Sequence, residues 1–332
     1  MPKMQKLRVA LLVVIFCEMV FTANAQVSTC LTLIKDFPLP GTATRFDYQA
    51  IDEGRSLLFI AHLGDNSVAI FNMKSSTLVK TIGNIPKPHG ILVVPKLKKV
   101  YVSGTGSNEI YVLDENSLDI IKKIPAGTYP DGLDYDPKTN RIFVSDEHGK
   151  TVTVFDALDN KVLSTIEMGG EVGNTHYDPV SGLIYSAVHN SNVLVEIDPV
   201  AMKIVSRYKL PGCQQPHGFF IEPDTHYAFV TGEGNASYVV FDLTKKLIIG
   251  SGKVGVDPDV LAFDNVAKLL FVSSESGVVS VFKVTKAAVT KICEGLLAPR
   301  AHTVAVDPST HRVYFPLENV NGGPVLRVME SH

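Results

Sequence analysis

Short apolar runs rich in β-branched and aromatic side chains recur along the chain, separated by clusters of Gly, Pro, Asn and Asp. Residues 130 to 166 show one complete unit. Pro130-Asp131-Gly132-Leu133-Asp134-Tyr135 leads into an Asp136-Pro137 turn. Asn140-Arg141-Ile142-Phe143-Val144-Ser145 follows, then a polar loop, then Thr151-Val152-Thr153-Val154-Phe155-Asp156. The run from Val162 to Ile166 completes four strands. Such runs predict β-strands, and the punctuation between them predicts tight turns. No segment carries the 3.6-residue period of an amphipathic helix, which sets helical repeats of similar length aside.

The unit repeats. Aligned on Asp131 by the strands that follow, the equivalent positions are Asp47, His89, Gly173, His217, Asp259 and His302, at spacings of 42, 42, 42, 44, 42 and 43 residues. Each is followed by a turn, mostly acidic or proline-containing: Asp52-Glu53, Val94-Pro95, Asp136-Pro137, Asp178-Pro179, Glu222-Pro223, Asp264-Asn265 and Asp307-Pro308. A period near 42 residues with four strands per unit predicts an all-β, seven-bladed β-propeller with four antiparallel strands per blade. The last unit stops at its third strand, Val325-Leu326-Arg327-Val328. The segment from Cys30 to Phe37 is expected to supply the fourth, closing the ring and leaving no free inner edge.

Strand pairs such as Val100-Tyr101-Val102-Ser103 with Ile110-Tyr111-Val112-Leu113-Asp114, and Ile142-Phe143-Val144-Ser145 with Thr153-Val154-Phe155-Asp156, resemble the YVTN-repeat (YncE-like) propellers. The resemblance covers roughly residues 38 to 330. It implies a fold shared with haem d1-binding propellers and exported bacterial propellers of varied role. Some relatives bind DNA and others are surface proteins. It supplies no catalytic motif to carry over.

Composition adds an address. Lys3, Lys6 and Arg8 precede an apolar run from Val9 to Cys17, and Ala23-Asn24-Ala25 reads as a cleavage site. Residues 1–25 are therefore expected to be a signal peptide. The mature propeller domain would be residues 26–332, periplasmic or secreted, with no transmembrane segment. Cleavage removes three basic groups and Glu18, which lowers the formal charge from −3 to −5. No basic stripe is visible, so a nucleic-acid partner is not expected; a monomer is. Cys30, Cys213 and Cys293 remain, an odd number that leaves at least one unpaired. Asn235-Ala236-Ser237 fits an N-glycosylation acceptor.

The candidate chemistry lies in two columns of the repeat. In a four-stranded blade, the start of the innermost strand and the loop after the second strand share one face of the disc. The first column is Asp47, His89, Asp131, Gly173, His217, Asp259 and His302. The second is Leu63, Thr105, Glu147, His189, Glu233, Glu275 and Glu318. Asp, Glu and His together make up 44 of 332 residues, so seven random positions would hold about one. Imidazole and carboxylate are the ligands that zinc, copper and iron accept. A ring of carboxylates repels itself unless something cationic sits among them. His89, His217 and His302 are therefore expected to converge at the top mouth, with Asp131, Asp259, Glu147, His189, Glu233, Glu275 and Glu318 around them, on a divalent metal ion or small ligand. His62 and His176 lie off the columns, and His148, His226 and His311 read as loop or surface residues. Cys213, four residues before His217, is a further but weaker candidate.

No nucleophile elbow, phosphate loop, His-Glu-x-x-His or CxxC pair is present, and no Cys-x-x-Cys-His, which excludes covalent c-type haem. The leading reading is an exported propeller that binds a metal ion or small ligand at its top mouth. The alternatives are a metal-dependent hydrolase or lyase, lactonase-like, that uses the same site, and a surface-interaction or DNA-binding propeller.

Overall fold

The computed structural model describes residues 30–332. The proposed signal peptide lies outside them. Twenty-eight strands form seven four-stranded antiparallel sheets. Blade 1 comprises Gln49–Asp52, Leu57–His62, Ser67–Asn72 and Thr77–Ile82, from the axis outward. Blades 2 to 6 begin with inner strands Pro88–Val94, Pro130–Asp136, Val172–Tyr177, Pro216–Glu222 and Pro258–Asp264. Blade 7 contains Ala305–Asp307, Arg312–Val320 and Gly323–Ser331, and Leu31–Pro38 pairs antiparallel with the last of these as its outer strand. The N-terminal strand thus closes the ring. A disulfide between Cys30 and Cys293 ties this outer strand to the outer strand of blade 6, Val289–Leu296.

The core is not one mass. It consists of seven apolar clusters, one in each interface between neighbouring blades. Side chains alternate along a strand. On the second strand of blade 1, Leu57, Phe59 and Ala61 face blade 2, whereas Leu58 and Ile60 face blade 7. Both faces are covered, so all six residues of Leu57–His62 are buried. This is why second strands read as unbroken apolar runs, while outer strands alternate, as in Leu247–Lys253.

Polar ties reinforce the interfaces. Asp178, fully buried in the first turn of blade 4, accepts hydrogen bonds from the amides of Val180 and Ser181 and lies 2.7 Å from Nε2 of His226 in blade 5. His311 reaches Asp264 across the next-but-one interface in the same manner, at 2.6 Å. His226 and His311, two of the three histidines expected to be loop or surface residues, lie in turns and also link blades.

Near the axis the inner strands approach so closely that side chains do not fit. A Cβ on Gly90 would stand 2.3 Å from the Asp131 carbonyl oxygen, and one on Gly218 1.7 Å from that of Asp259. The Pro-His-Gly triplets of blades 2 and 5 are thus packing signatures as well as candidate sites. Across the axis, the Tyr48 hydroxyl of blade 1 donates to Asn174 Oδ1 of blade 4 at 2.8 Å. Tyr48 lines both a polar cup above and a mainly apolar chamber below, of about 300 Å³. This bar divides the channel.

Candidate metal centre at the top mouth

Backbone hydrogen bonds bring the two columns together. In blades 2 to 6 the amide of the second-column residue donates to the carbonyl two residues before the first-column residue: Thr105 to Lys87, Glu147 to Tyr129, His189 to Glu171, Glu233 to Gln215 and Glu275 to Asp257. Lys87, Tyr129, Gln215 and Asp257 take positive φ at this point. The chain therefore turns sharply into each inner strand, and the two columns surround one mouth.

The result is a cup of about 230 Å³ lined by Asp47, Asp131, Glu147, Glu233, Asp257, Asp259 and Glu275, with Arg45, His89, His217, Tyr48 and Tyr129. Seven carboxyl groups face one small space. Arg45 is its fixed cation. The guanidinium donates to Glu275 through Nη1 and lies 3.5 Å from Asp47 and 3.8 Å from Asp259. Burial opposes its charge, but these three acids hold its pKa above the ordinary value.

The three anchor histidines do not share one centre. Among the described residues, two groups place their ligand atoms within 4.8 Å of one another: His189, His217 and Glu233, and Asp259, Glu275 and His302. Each holds one anchor histidine, and His89 belongs to neither. Of the three expected histidines, the structure thus places His217 and His302 in separate groups and His89 outside both. Partner choice is the reason: His302 is held by Asp259 and the Phe46 carbonyl, His217 by His189, and His89 by Thr105 and the Lys87 carbonyl.

The second group has its cations already. His302, 1% exposed, has Nδ1 2.8 Å from Asp259 Oδ2 and Nε2 3.1 Å from the Phe46 carbonyl. An imidazolium donating from both nitrogens satisfies both partners. The bond to Asp259 raises the His302 pKa against the opposing effect of burial. Burial would raise Asp259, but the bond from His302 and the charges of His302, His217 and Arg45 hold it low. With Arg45 also on Asp259 and Glu275, this group is an internal salt bridge.

The first group is different. His189 Nε2 lies 2.9 Å from His217 Nδ1, which is 3.5 Å from Glu233 Oε1. Two imidazole nitrogens and a carboxylate oxygen thus converge with no fixed cation between them. Ligands about 2.0–2.1 Å from a tetrahedral zinc ion stand roughly 3.3 Å apart, and the two separations bracket that edge. In the metal-free cluster one proton takes the ion's place. Burial disfavours charge on His217, but Glu233, Asp131 and Asp259 push it up to about 10. Burial, with the charges of His217 and His148, pulls His189 down to about 3, and burial lifts Glu233 to about 7. An imidazolium at His217 therefore donates to a neutral His189.

The other candidates divide. His89 Nδ1 is 3.0 Å from the Lys87 carbonyl and 2.8 Å from Thr105 Oγ1, whose hydroxyl donates to the Pro130 carbonyl. That chain leaves the Nδ1 proton on His89 and turns its Nε2 toward Tyr129, at 3.3 Å, and the cup. Asp131 is 2% exposed, and its Oδ1 has no hydrogen-bond partner. Burial drives its pKa upward. Glu147 and Glu275 line the wall. Glu318 does not, because Arg300 holds it at 3.3 Å. Cys213 is buried in the cluster between blades 4 and 5, and burial raises its thiol to about 12, so it stays protonated. Asn235 of the glycosylation tripeptide is engaged by Gly212, Gln214 and Ser237. Arg45, Tyr129 and Asp257 also line the cup, although neither polar column contains them. All three stand two residues before an anchor, a position that also holds Lys87, Glu171, Gln215 and Arg300. Such mixed chemistry gives no compositional signal.

Comparison with known proteins agrees on fold and leaves chemistry open. An Arylesterase family model matches residues 57–167, within blades 1 to 3 and the outer strand of blade 3. No curated protein matches by sequence. Among solved structures, the chain is similar to Kuenenia stuttgartiensis hydrazine synthase at 15% identity and a TM-score of 0.72, covering 89% of this chain and 97% of that one. It is also similar to virginiamycin B lyase from Staphylococcus aureus, at 12% identity and a TM-score of 0.74, over 90% and 99% of the two chains. The chain of a mitotic checkpoint complex matches at 10% identity and a TM-score of 0.76, over 100% and 98%. At these identities the likeness is one of fold: a seven-bladed β-propeller with candidate metal-ligand groups at one mouth.

Proposed function

We propose that the protein is an exported propeller, released after cleavage near Ala25, that binds a divalent metal ion through His189, His217 and Glu233 and a small ligand in the adjoining cup. One observation carries this reading: two imidazole nitrogens and a carboxylate oxygen converge beside a cup of seven carboxyl groups served by one arginine. Two histidines and one glutamate with a fourth position open are a set that zinc accepts. Elemental analysis of the purified mature chain should find about one zinc-like ion per chain. Chelation should lower its melting temperature, since a ligand that binds only the folded state stabilises it. His217→Ala should reduce zinc affinity by about 10–100-fold or more, with the far-ultraviolet circular dichroism unchanged, because the blades are held by strand pairing and apolar clusters away from the mouth. Unaltered metal content in a folded His217→Ala protein would overturn the assignment.

A second reading, a metal-dependent ester or lactone hydrolase, is favoured by the arylesterase match across blades 1 to 3. A metal ion held by His189, His217 and Glu233 would supply Lewis-acid polarisation and would acidify bound water. Glu147, on the cup wall, is then the carboxylate placed to take a proton. Turnover of phenyl acetate and of a simple lactone, abolished by chelation and restored by zinc, would establish it. Metal binding without turnover of either would leave the binding role.

A further inference from the structure

We infer that the cup recognises the ammonium group of a small amine on Asp131 and Glu147. The inference rests on the metal reading, because it counts Glu233 as a metal ligand. Of the seven carboxyl groups, Asp47, Asp259 and Glu275 are paired with Arg45. Glu233 belongs to the metal group. Among the described residues, Asp131, Glu147 and Asp257 have no Arg or Lys partner; Asp131 and Glu147 have only an imidazole nearby, His217 at 3.6 Å and His148 at 3.8 Å. Asp131 is the critical one. It is 2% exposed, it lines the cup, and its Oδ1 accepts no hydrogen bond. Its Oδ2 is 3.6 Å from His217 Nε2, beyond hydrogen-bond length. A buried carboxylate oxygen left bare is costly, and a donor-rich cation removes the cost.

The surroundings favour an organic cation over a second bare ion. His89 Nε2 faces the Tyr129 hydroxyl at 3.3 Å, which leaves that hydroxyl's oxygen as an acceptor, and the Tyr129 and Tyr48 side chains line the cup. Aromatic faces attract alkylammonium groups, whereas a hard metal ion gains little from them. A cup of about 230 Å³ also leaves room for a short alkyl chain beside one metal ion. An ammonium group carries three donors, enough for Asp131 Oδ1, Glu147 and the Tyr129 hydroxyl oxygen. The net negative cup would attract such a cation at a salt-dependent rate.

The test is calorimetric titration of the zinc-loaded mature chain with n-butylammonium, with n-butanol as the neutral control and zinc content measured in the same sample. Saturable, salt-sensitive binding of n-butylammonium and none of n-butanol is expected. Asp131→Asn should weaken n-butylammonium at least about tenfold, and by more than it weakens zinc. Glu147→Gln, at the more open wall, should act in the same direction and serves if Asp131→Asn fails to fold. No zinc uptake would overturn the metal reading and this one with it. Uptake of one zinc without saturable n-butylammonium binding would overturn this inference alone. So would a second zinc that n-butylammonium cannot displace, or equal binding of n-butanol.

Discussion

His217 and His302 occupy the same slot of the repeat and have opposite fates. His302 spends both nitrogens on Asp259 and the Phe46 carbonyl, so its role is to hold blades 6, 7 and 1 together at the mouth. His217 keeps one nitrogen facing His189 and Glu233, where an ion can replace a proton. The difference comes from their neighbours, since Arg45 pairs with both acids beside His302, Asp259 and Glu275, but does not reach Glu233, the acid nearest the shared nitrogen of His217. The glycine after His217 is as specific as the histidine. Gly218→Ala would press a methyl group into the Asp259 carbonyl, which cannot yield without moving blade 6. Overpacking of this kind costs about 1–3 kcal/mol. We expect a lowered urea midpoint together with weakened zinc binding, because both His217 and Asp259 would shift. Full stability and full zinc affinity in that variant would show that the close approach has no consequence.

At the scale of elements, the turns between first and second strands do more than reverse the chain. Asp136, Asp178, Asp264 and Asp307 fold their carboxylates back onto the amides of the turn. Asp178 and Asp264 also receive a histidine from another blade. For Asp178, burial favours the neutral acid, but hydrogen bonds from Ser181, His226 and the turn amides hold the pKa below its ordinary value. A depressed folded pKa gives stability that is present above the unfolded value and lost as pH falls through the folded one. The Asp178→Asn variant should therefore be less stable than the natural chain near pH 7, with the gap closing below about pH 4. Urea unfolding across that range would measure it. A gap as wide at pH 3 as at pH 7 would mean that the charge of Asp178 contributes nothing.

For the whole molecule, closure is the central problem. A ring of seven blades whose interfaces each carry one apolar cluster is only as sound as the blade in which the two ends of the described chain meet. Three things secure that end: Leu31–Pro38 paired with Gly323–Ser331, the Arg327 to Asp36 ion pair at 2.7 Å, and the Cys30–Cys293 disulfide. The disulfide closes a loop across a sequence separation of 263 residues. Cys293→Ser should lower the unfolding free energy by about 2–4 kcal/mol, and equilibrium unfolding with and without reductant would check it. An unchanged midpoint would assign closure to strand pairing alone. The acidic mouth also sets an expectation about partners. Phosphates would have to approach seven carboxyl groups, so duplex DNA should not bind at this face. Salt-dependent DNA binding that disappears in an Asp131→Asn or Glu147→Gln variant would contradict this.

The blade count, the four strands per blade and the closing N-terminal strand were legible in the sequence. Strand periodicity and turn chemistry are local properties, and a repeat states them seven times. The two polar columns were legible for the same reason: equal spacing on a closed ring puts equal positions on one face. What each column member does was not legible. Arg45 reaches Glu275 across a separation of 230 residues, and it turns a candidate metal group into a salt bridge. Arg300 removes Glu318 from the cup, and Asn174 meets Tyr48 across the axis. The cysteine count left one thiol unpaired but could not say that Cys30 and Cys293 are the pair. These outcomes depend on distances between blades, and those are set by ring closure and by the close approach of inner strands at Gly90 and Gly218. The sequence determined the elements and the face on which each polar side chain stands. Only the closed ring decided which charges meet, because it alone brings residues from distant repeats within a few ångströms.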